Sequence, residues 1–236
     1  MFSLATAEIR EALYGIIART NQGTQTVHSM GSGIMIAPSY VITNSHILHQ
    51  DGDFGKENHK EIEVIRSPDI GRNCIRAILF KEDTIRDIAL LKIEGQSSNR
   101  CVSFEDRIVP SGTNCGSLGF PLSTVELRNG GYSYGLTERF QGAFISAYFT
   151  DTVSDRAISW YEVDRVMYGG SSGCPFYLEN AKVIGLQTRV RTDVSRGGTS
   201  EEKRNYLAIS LLIPSSEIVR FAKDCGVVCA TERALT

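Results

Sequence analysis

No stretch of this 236-residue sequence stays apolar for long. The longest runs, such as 88–91 and 207–214, fall well short of the roughly 20 residues that span a bilayer, so no membrane partner is expected. A surplus of one charge is missing too. The formal net charge is −2, which gives no electrostatic reason to expect nucleic acid or an anionic surface. The first ten residues lack a basic segment followed by an apolar core, so no secretory signal is read there. Disorder is excluded by a composition of 42% hydrophobic and 22% charged residues.

Cysteine is present but not abundant: Cys74, Cys101, Cys115, Cys174, Cys225 and Cys229. Three disulfides would use them all. A chain of this length builds its own core, and with no export signal the expectation is reduced thiols in a cytoplasmic protein. Cys225 and Cys229 lie four apart with no second pair of Cys or His nearby. A zinc site normally shows two close pairs, so both read as buried apolar side chains on a helix, and no metal or other cofactor is expected.

Helical periodicity is convincing in two places, 6–14 and 216–225. Ser215 is placed to cap the second helix and Gly226 to end it. Elsewhere the chain breaks into many short segments rich in Ile, Val, Tyr and Phe, separated by Gly, Asn, Asp or Ser. They include 33–36, 40–43, 61–66, 74–80, 88–93, 114–120, 142–149, 158–163, 174–178, 183–188 and 206–213, and they predict an all-β protein with closed or sandwiched sheets. The polar stretch 95–100 reads as a linker between two strand-rich halves, 1–96 and 97–236. The polar segments 51–59 and 193–204 read as exposed loops.

Three segments carry chemistry. Gly170-Ser171-Ser172-Gly173-Cys174-Pro175 offers a serine hydroxyl among glycines, which let the backbone turn tightly and aim N–H groups at a developing oxyanion. Alone it could be a plain Gly/Ser turn. Val41-Ile42-Thr43-Asn44-Ser45-His46 is a strand running into a polar turn with a histidine, the usual general base near neutral pH. Asp87-Ile88-Ala89-Leu90-Leu91 sets a carboxylate at the head of a buried strand, where it could orient a histidine tautomer. Each of these two also has a bland reading, a lone histidine or a solvated strand end. Their joint order, His46, Asp87, Ser172, is that of the chymotrypsin fold and differs from subtilisin and the α/β-hydrolases. With the linker between acid and serine, the site falls between the two halves.

On these residues the chain resembles the trypsin-like peptidases, most closely the bacterial Deg/HtrA branch. Further segments share the likeness: Gly31-Ser32-Gly33-Ile34-Met35-Ile36, Gly119-Phe120-Pro121-Leu122, Phe140-Gln141-Gly142-Ala143-Phe144, Glu162-Val163-Asp164, and the last strand with its C-terminal helix. The resemblance implies two six-stranded antiparallel β-barrels, the first carrying His46 and Asp87, the second carrying Ser172 and the C-terminal helix. It implies a serine endopeptidase acting on protein or peptide substrates through an acyl-enzyme. Ser172 would be the nucleophile, His46 the base and Asp87 its orienter. The N–H groups of Gly170 and Ser172 would form the oxyanion hole, and Thr188 would support the acid. Val166 would floor the primary specificity pocket, with Val190 and Ala208 as walls. None is acidic, so a small or medium aliphatic residue is expected at the cleaved position rather than Arg or Lys.

Two departures stand out. Cys174 occupies a position usually held by glycine or a small residue. Ser171 replaces the usual Asp or Asn, and a neutral hydroxyl cannot hold a buried ammonium, so activation by N-terminal cleavage is not expected. No PDZ domain follows in this sequence, so the oligomer and regulator of Deg proteins are not carried over; a regulatory protein partner or a homo-oligomer stays open. A catalytically silent binding module on the same fold is the alternative from another class. An esterase is disfavoured, because its nucleophile elbow needs a Gly-x-Ser-x-Gly that leads into a helix.

Overall fold

The computed structural model of the chain describes residues 2–22, 25–70, 74–95, 100–128, 131–166, 168–195 and 203–229. A first helix, α1 (Ser3–Ala12), leads directly into β1 (Leu13–Gln22). The sequence periodicity extends that helix to residue 14. Instead, Leu13 and Tyr14 sit in register with Ile34 and Gly33, and Tyr14 also faces Arg66. Two-sided strand pairing overrides a local helical pattern that runs only two residues further.

β1 joins β2 (Gln25–Ala37), β3 (Tyr40–Thr43), β4 (Glu61–Arg66), β5 (Ile75–Asp83) and β6 (Ile88–Ile93) in a closed antiparallel barrel of order β1-β2-β3-β6-β5-β4. The second barrel takes β7 (Asn114–Gly119), β10 (Arg139–Val153), β11 (Arg156–Val163), β12 (Pro175–Tyr177), β13 (Val183–Ser195) and β14 (Lys203–Pro214), in the order β10-β11-β14-β13-β12-β7. A separate hairpin, β8 (Thr124–Arg128) with β9 (Gly131–Gly135), projects between β7 and β10. The two six-stranded barrels and the C-terminal helix α2 (Ser215–Asp224) are the architecture expected from the sequence.

Two segments differ from their polar appearance. Backbone pairing continues from Thr192 to Ser195 against Lys203 to Tyr206, so the ends of the expected 193–204 loop are strand, while 196–202 lie outside the described residues. Polar composition reports exposure, not the absence of a ladder. The β8–β9 hairpin was not anticipated for the same reason, its strands being largely solvated. Of the linker, residues 96–99 lie outside the described residues.

Closed barrels turn one strand face inward, yet Ile88, Ala89, Leu90 and Leu91 of β6 are all buried. They belong to one buried cluster that also holds Leu186 and Ile213 of the second barrel and Ile218 and Phe221 of the C-terminal helix, and burial of both strand faces gives a continuous apolar run where alternation would otherwise be expected. Cys115, Ile145, Tyr161, Val163, Phe176, Ile184 and Leu212 fill the second barrel. The helices tie the halves together crosswise. α1 docks on the second barrel, with Thr6 Oγ1 2.8 Å from the Tyr177 hydroxyl and the Phe2 ring 5.8 Å from Phe140. α2 reaches back to the first, where Arg86 Nε donates to the largely buried Glu217 at 2.8 Å.

Ser215 does not cap α2. Its hydroxyl donates to the Glu105 carbonyl at 2.6 Å, and Pro214 holds the N-cap position. Gly226 ends the helix at φ +76°, with the Val227 N–H returning to the Ala222 carbonyl at 2.9 Å in a Schellman closure. All six cysteines carry free thiols, and among the described residues no group of side chains is arranged to hold a metal.

Candidate active site

β3 delivers the chain to the barrel interface and ends at Thr43, where a single 3₁₀ turn (Ser45–Leu48) presents His46. β6 begins at the same interface. Asp87, just before it, adopts φ +58°, which aspartate tolerates better than most residues. That kink turns its carboxylate toward the turn of His46. Asp87 Oδ2 lies 2.7 Å from His46 Nδ1, while Oδ1 accepts the His46 backbone N–H at 2.9 Å. Thr188 Oγ1 donates to the same Oδ2 at 2.6 Å, and Asn44 Nδ2 holds the Asp87 carbonyl at 2.9 Å. Asp87 is 2% exposed, so these donors replace its lost hydration. His46 Nε2 lies 2.8 Å from Ser172 Oγ. The structure thus brings His46, Asp87, Ser172 and Thr188 into one hydrogen-bonded line across the two barrels.

Behind His46 sits a second polar cluster. Glu82 accepts from Ser45 Oγ at 2.5 Å and His49 Nε2 at 3.0 Å, and from Asn58 Nδ2 at 3.4 Å. Burial pushes the Glu82 carboxyl up, but these hydrogen bonds outweigh it and hold the group below the usual range. Ser45 and His49 flank His46, so the cluster anchors both ends of its turn.

The loop that carries Ser172 is held differently. The Ser171 N–H returns to the Tyr168 carbonyl at 3.0 Å, and Gly170 has φ +85°, which together define a type II turn over 168–171. A Cβ on Gly170 would lie 2.7 Å from the Phe120 carbonyl oxygen, so the turn requires glycine twice over. The Ser172 carbonyl accepts the Ser32 N–H at 2.8 Å, and Gly173 passes so close to Ser32 that a Cβ there would meet its carbonyl oxygen at 1.9 Å. Among the described residues, the N–H groups of Gly170 and Ser172 have no hydrogen-bond partner. Ser171 is 2% exposed and its hydroxyl is likewise unpaired there.

Cys174 fits its unusual position because Gly119 faces it; a Cβ on Gly119 would lie 2.0 Å from the sulfur. Burial pushes the Cys174 thiol up to about 11, so it stays protonated and donates to Ser32 Oγ at 3.3 Å. Of the expected pocket residues, Val166 follows Arg165 in the chain and Val190 lies on β13. Val190 is half-buried against its core and faces Ser210, whose hydroxyl holds the Arg165 carbonyl at 2.7 Å. Ala208 lies on β14, with its side chain outside the described residues. Sequence reasoning missed Asn44, Ser210 and the Glu82 cluster. Asn44 and Ser45 stand beside His46 in sequence and could have been flagged, whereas Glu82 comes close only through barrel closure.

A family model described as a trypsin-like peptidase domain matches residues 31–186. A probable periplasmic serine endoprotease, DegP-like, of Pseudomonas putida (strain W619) is 26% identical over 187 residues, covering 79% of this chain and 32% of that protein. One of the same description from Marinomonas sp. (strain MWYL1) is 26% identical over 203 residues, covering 86% and 36%. The chain therefore spans about a third of the length of the curated relatives it matches. Among solved structures, the active form of the Rv3671c protease from M. tuberculosis superposes with a TM-score of 0.67 at 15% identity, over 95% of this chain and 85% of that one. At that identity the likeness concerns the fold. The relatives overturn the cytoplasmic expectation, since they are named as periplasmic. The expectation rested on core size, on reduced thiols and on a start in which no export signal was read. A chain that folds without disulfides can do so in either compartment, so its cysteines carry no address.

Proposed function

This chain belongs to the trypsin-like peptidase domain family, and on that premise we propose that it is a serine endopeptidase that cleaves protein or peptide substrates through an acyl-enzyme. One observation carries the reading: His46 Nε2 is 2.8 Å from Ser172 Oγ while its Nδ1 is 2.7 Å from the buried Asp87 carboxylate. In this reading the Asp87 carboxylate fixes the tautomer with the proton on Nδ1 and leaves Nε2 as the base. Ser172 Oγ attacks the scissile carbonyl carbon as its proton passes to Nε2. The carbonyl oxygen, now an oxyanion, accepts from the N–H groups of Gly170 and Ser172. His46 then protonates the departing amine, leaving an ester on Ser172. A water molecule, deprotonated by the same nitrogen, attacks that ester and releases the acid. Thr188 supports Asp87 throughout as a positioning residue.

Val166 and the β13–β14 edge at Val190 and Ala208 would receive the side chain before the cleaved bond, with a preference for small or medium aliphatic residues. The relatives' names suggest work outside the cytoplasm, on protein substrates. The test is labelling by a fluorophosphonate probe together with hydrolysis of unfolded casein. Wild type should label and cleave. Ser172→Ala should do neither while keeping its melting temperature, since one partly exposed hydroxyl contributes little to stability. A folded wild-type chain that neither labels nor cleaves would instead be the silent binding module.

A further inference from the structure

The Gly170 N–H can serve an oxyanion only if the peptide joining Gly169 to Gly170 faces the right way, because the two orientations of that peptide distinguish a type II turn from a type I turn. In a trans peptide the C=O and N–H point in opposite directions. The Gly169 carbonyl accepts the Leu122 N–H at 2.7 Å, so whatever fixes Leu122 fixes the Gly170 N–H on the opposite side. Leu122 has φ +59° and is half exposed. A leucine in the left-handed region persists only where its surroundings impose it.

Those surroundings are a set of hydrogen bonds along the turn 120–123. The Phe120 N–H donates to Ser32 Oγ at 3.0 Å, and the Phe120 carbonyl accepts from Ser123 Oγ at 2.6 Å. The Pro121 carbonyl accepts from Arg139 Nη1, whose guanidinium also reaches the Thr137 carbonyl at 3.2 Å. Arg139 is itself well anchored. It opens β10 in register with Gly119, and its neighbour Glu138 is gripped by Arg10 of α1 and by Ser67 of the first barrel.

We propose that Arg139 is a positioning residue of the oxyanion hole: by holding the Pro121 carbonyl it fixes the 120–123 turn, and the Leu122 N–H then sets the Gly169–Gly170 peptide. The proposal rests on the peptidase reading above and supplies what an uncharged Ser171 leaves unexplained. The loop needs no buried ion pair, because a neighbouring turn orders it from outside.

The experiment compares wild type, Arg139→Ala, Arg139→Lys and Ser123→Ala as full chains. It measures kcat and KM on unfolded casein, the second-order rate of fluorophosphonate labelling, and the melting temperature. Deleting an oxyanion donor costs about 100- to 1,000-fold in kcat. Loosening its peptide should cost less, about 10- to 100-fold in kcat for Arg139→Ala, with labelling slowed in parallel and KM within about threefold. Arg139→Lys, which still donates to the Pro121 carbonyl, should recover most of the loss. Ser123→Ala removes one bond of the same turn and should lose about three- to tenfold by the same route, which keeps the test decisive if Arg139→Ala folds poorly. Wild-type kcat and labelling in both alanine variants would overturn the proposal. So would a loss that follows the melting temperature and is not restored by lysine. If wild type neither labels nor cleaves, the peptidase reading fails first and the proposal falls with it.

Discussion

On the first-barrel side, the Asp87 carboxylate receives three hydrogen bonds, from the His46 backbone, the His46 ring and Thr188, and its carbonyl takes a fourth from Asn44. On the second-barrel side, the loop around Ser172 is held almost wholly by main chain: Ser171 to Tyr168, Leu122 to Gly169 and Ser32 to Ser172. One half positions its groups by side-chain chemistry, the other by close backbone approach. The two should therefore fail in different ways. A change on the first side should remove chemistry and spare the fold, whereas a change that blocks a close backbone approach on the second should disturb both together.

Asp87→Asn tests the first half of that contrast and should have the largest effect. The amide keeps the shape but favours the wrong imidazole tautomer, so kcat should fall on the order of 10⁴-fold with the melting temperature nearly unchanged. A loss below tenfold would show that Asp87 does not orient His46. Gly173→Ala tests the second half. Its Cβ would enter the Ser32 carbonyl at 1.9 Å and sit at φ +78°. Overpacking and the left-handed strain together cost about 2–4 kcal/mol, or roughly 5–15 °C in melting temperature. Activity should drop at least 100-fold at the same time. Gly112→Ala is the control, since Gly112 has φ +85° with nothing within 4 Å of a Cβ. It should show only the conformational cost, about 1 kcal/mol, and leave turnover unchanged. If the two glycine variants behave alike, close approach is not what holds the Ser172 loop.

The same contrast explains what was legible in the sequence. His46, Asp87 and Ser172 stood out because each is a reactive residue type beside a strand, in a telling order. The barrels were legible because β-branched runs recur between Gly and Asn breaks. The β1 strand was partly hidden by helix-like spacing at Leu13 and Tyr14, which only the register with β2 and β4 resolves. The oxyanion clamp was not legible at all. Leu122 acts through its backbone N–H and Arg139 through a carbonyl, and any residue can in principle present a backbone group. Gly170 and Gly173 were visible as glycines, but what they pack against lies far away in sequence. Ser215 was misread as a cap because its distant partner, the Glu105 carbonyl, took the hydroxyl that local rules assign to the helix end.

Thr188→Val refines the first-side prediction. Thr188 belongs to the second barrel, yet its hydroxyl serves the first-side acid at 2.6 Å. A hydrogen bond to a charged group is worth about 1.5–3 kcal/mol, so kcat should fall roughly 10- to 100-fold. Because the lost bond supports the carboxylate that holds His46, fluorophosphonate labelling of Ser172 should slow in parallel while the melting temperature stays nearly unchanged. A loss that instead follows a lowered melting temperature would assign Thr188 to packing.

The smallest effect concerns pH and again separates the two halves, because all four histidines lie in the first. His59 is buried between β1 and β2, 3.2 Å from Thr20 Oγ1 and 2.9 Å from Ser29 Oγ. Burial lowers its pKa from 6.5; the charge on His28 adds to this and Asp51 works against it. His28 lies edge-on to the Tyr132 ring at 4.4 Å, and burial followed by the nearby Arg19 lowers its pKa too. Both histidines therefore bind protons more readily in the unfolded chain. The stability they contribute is fully present above about pH 6.5 and is lost as pH falls through their folded values. The urea midpoint of wild type should accordingly decrease between about pH 7.5 and 5.5, and His59→Gln should flatten that decrease, since an amide can meet the same two hydroxyls without titrating. Amide protection should weaken first in β1, β2 and β4, and later in β11 and β14. An unchanged midpoint across that range, or a loss that begins in the histidine-free second barrel, would show that first-barrel histidines do not govern acid stability.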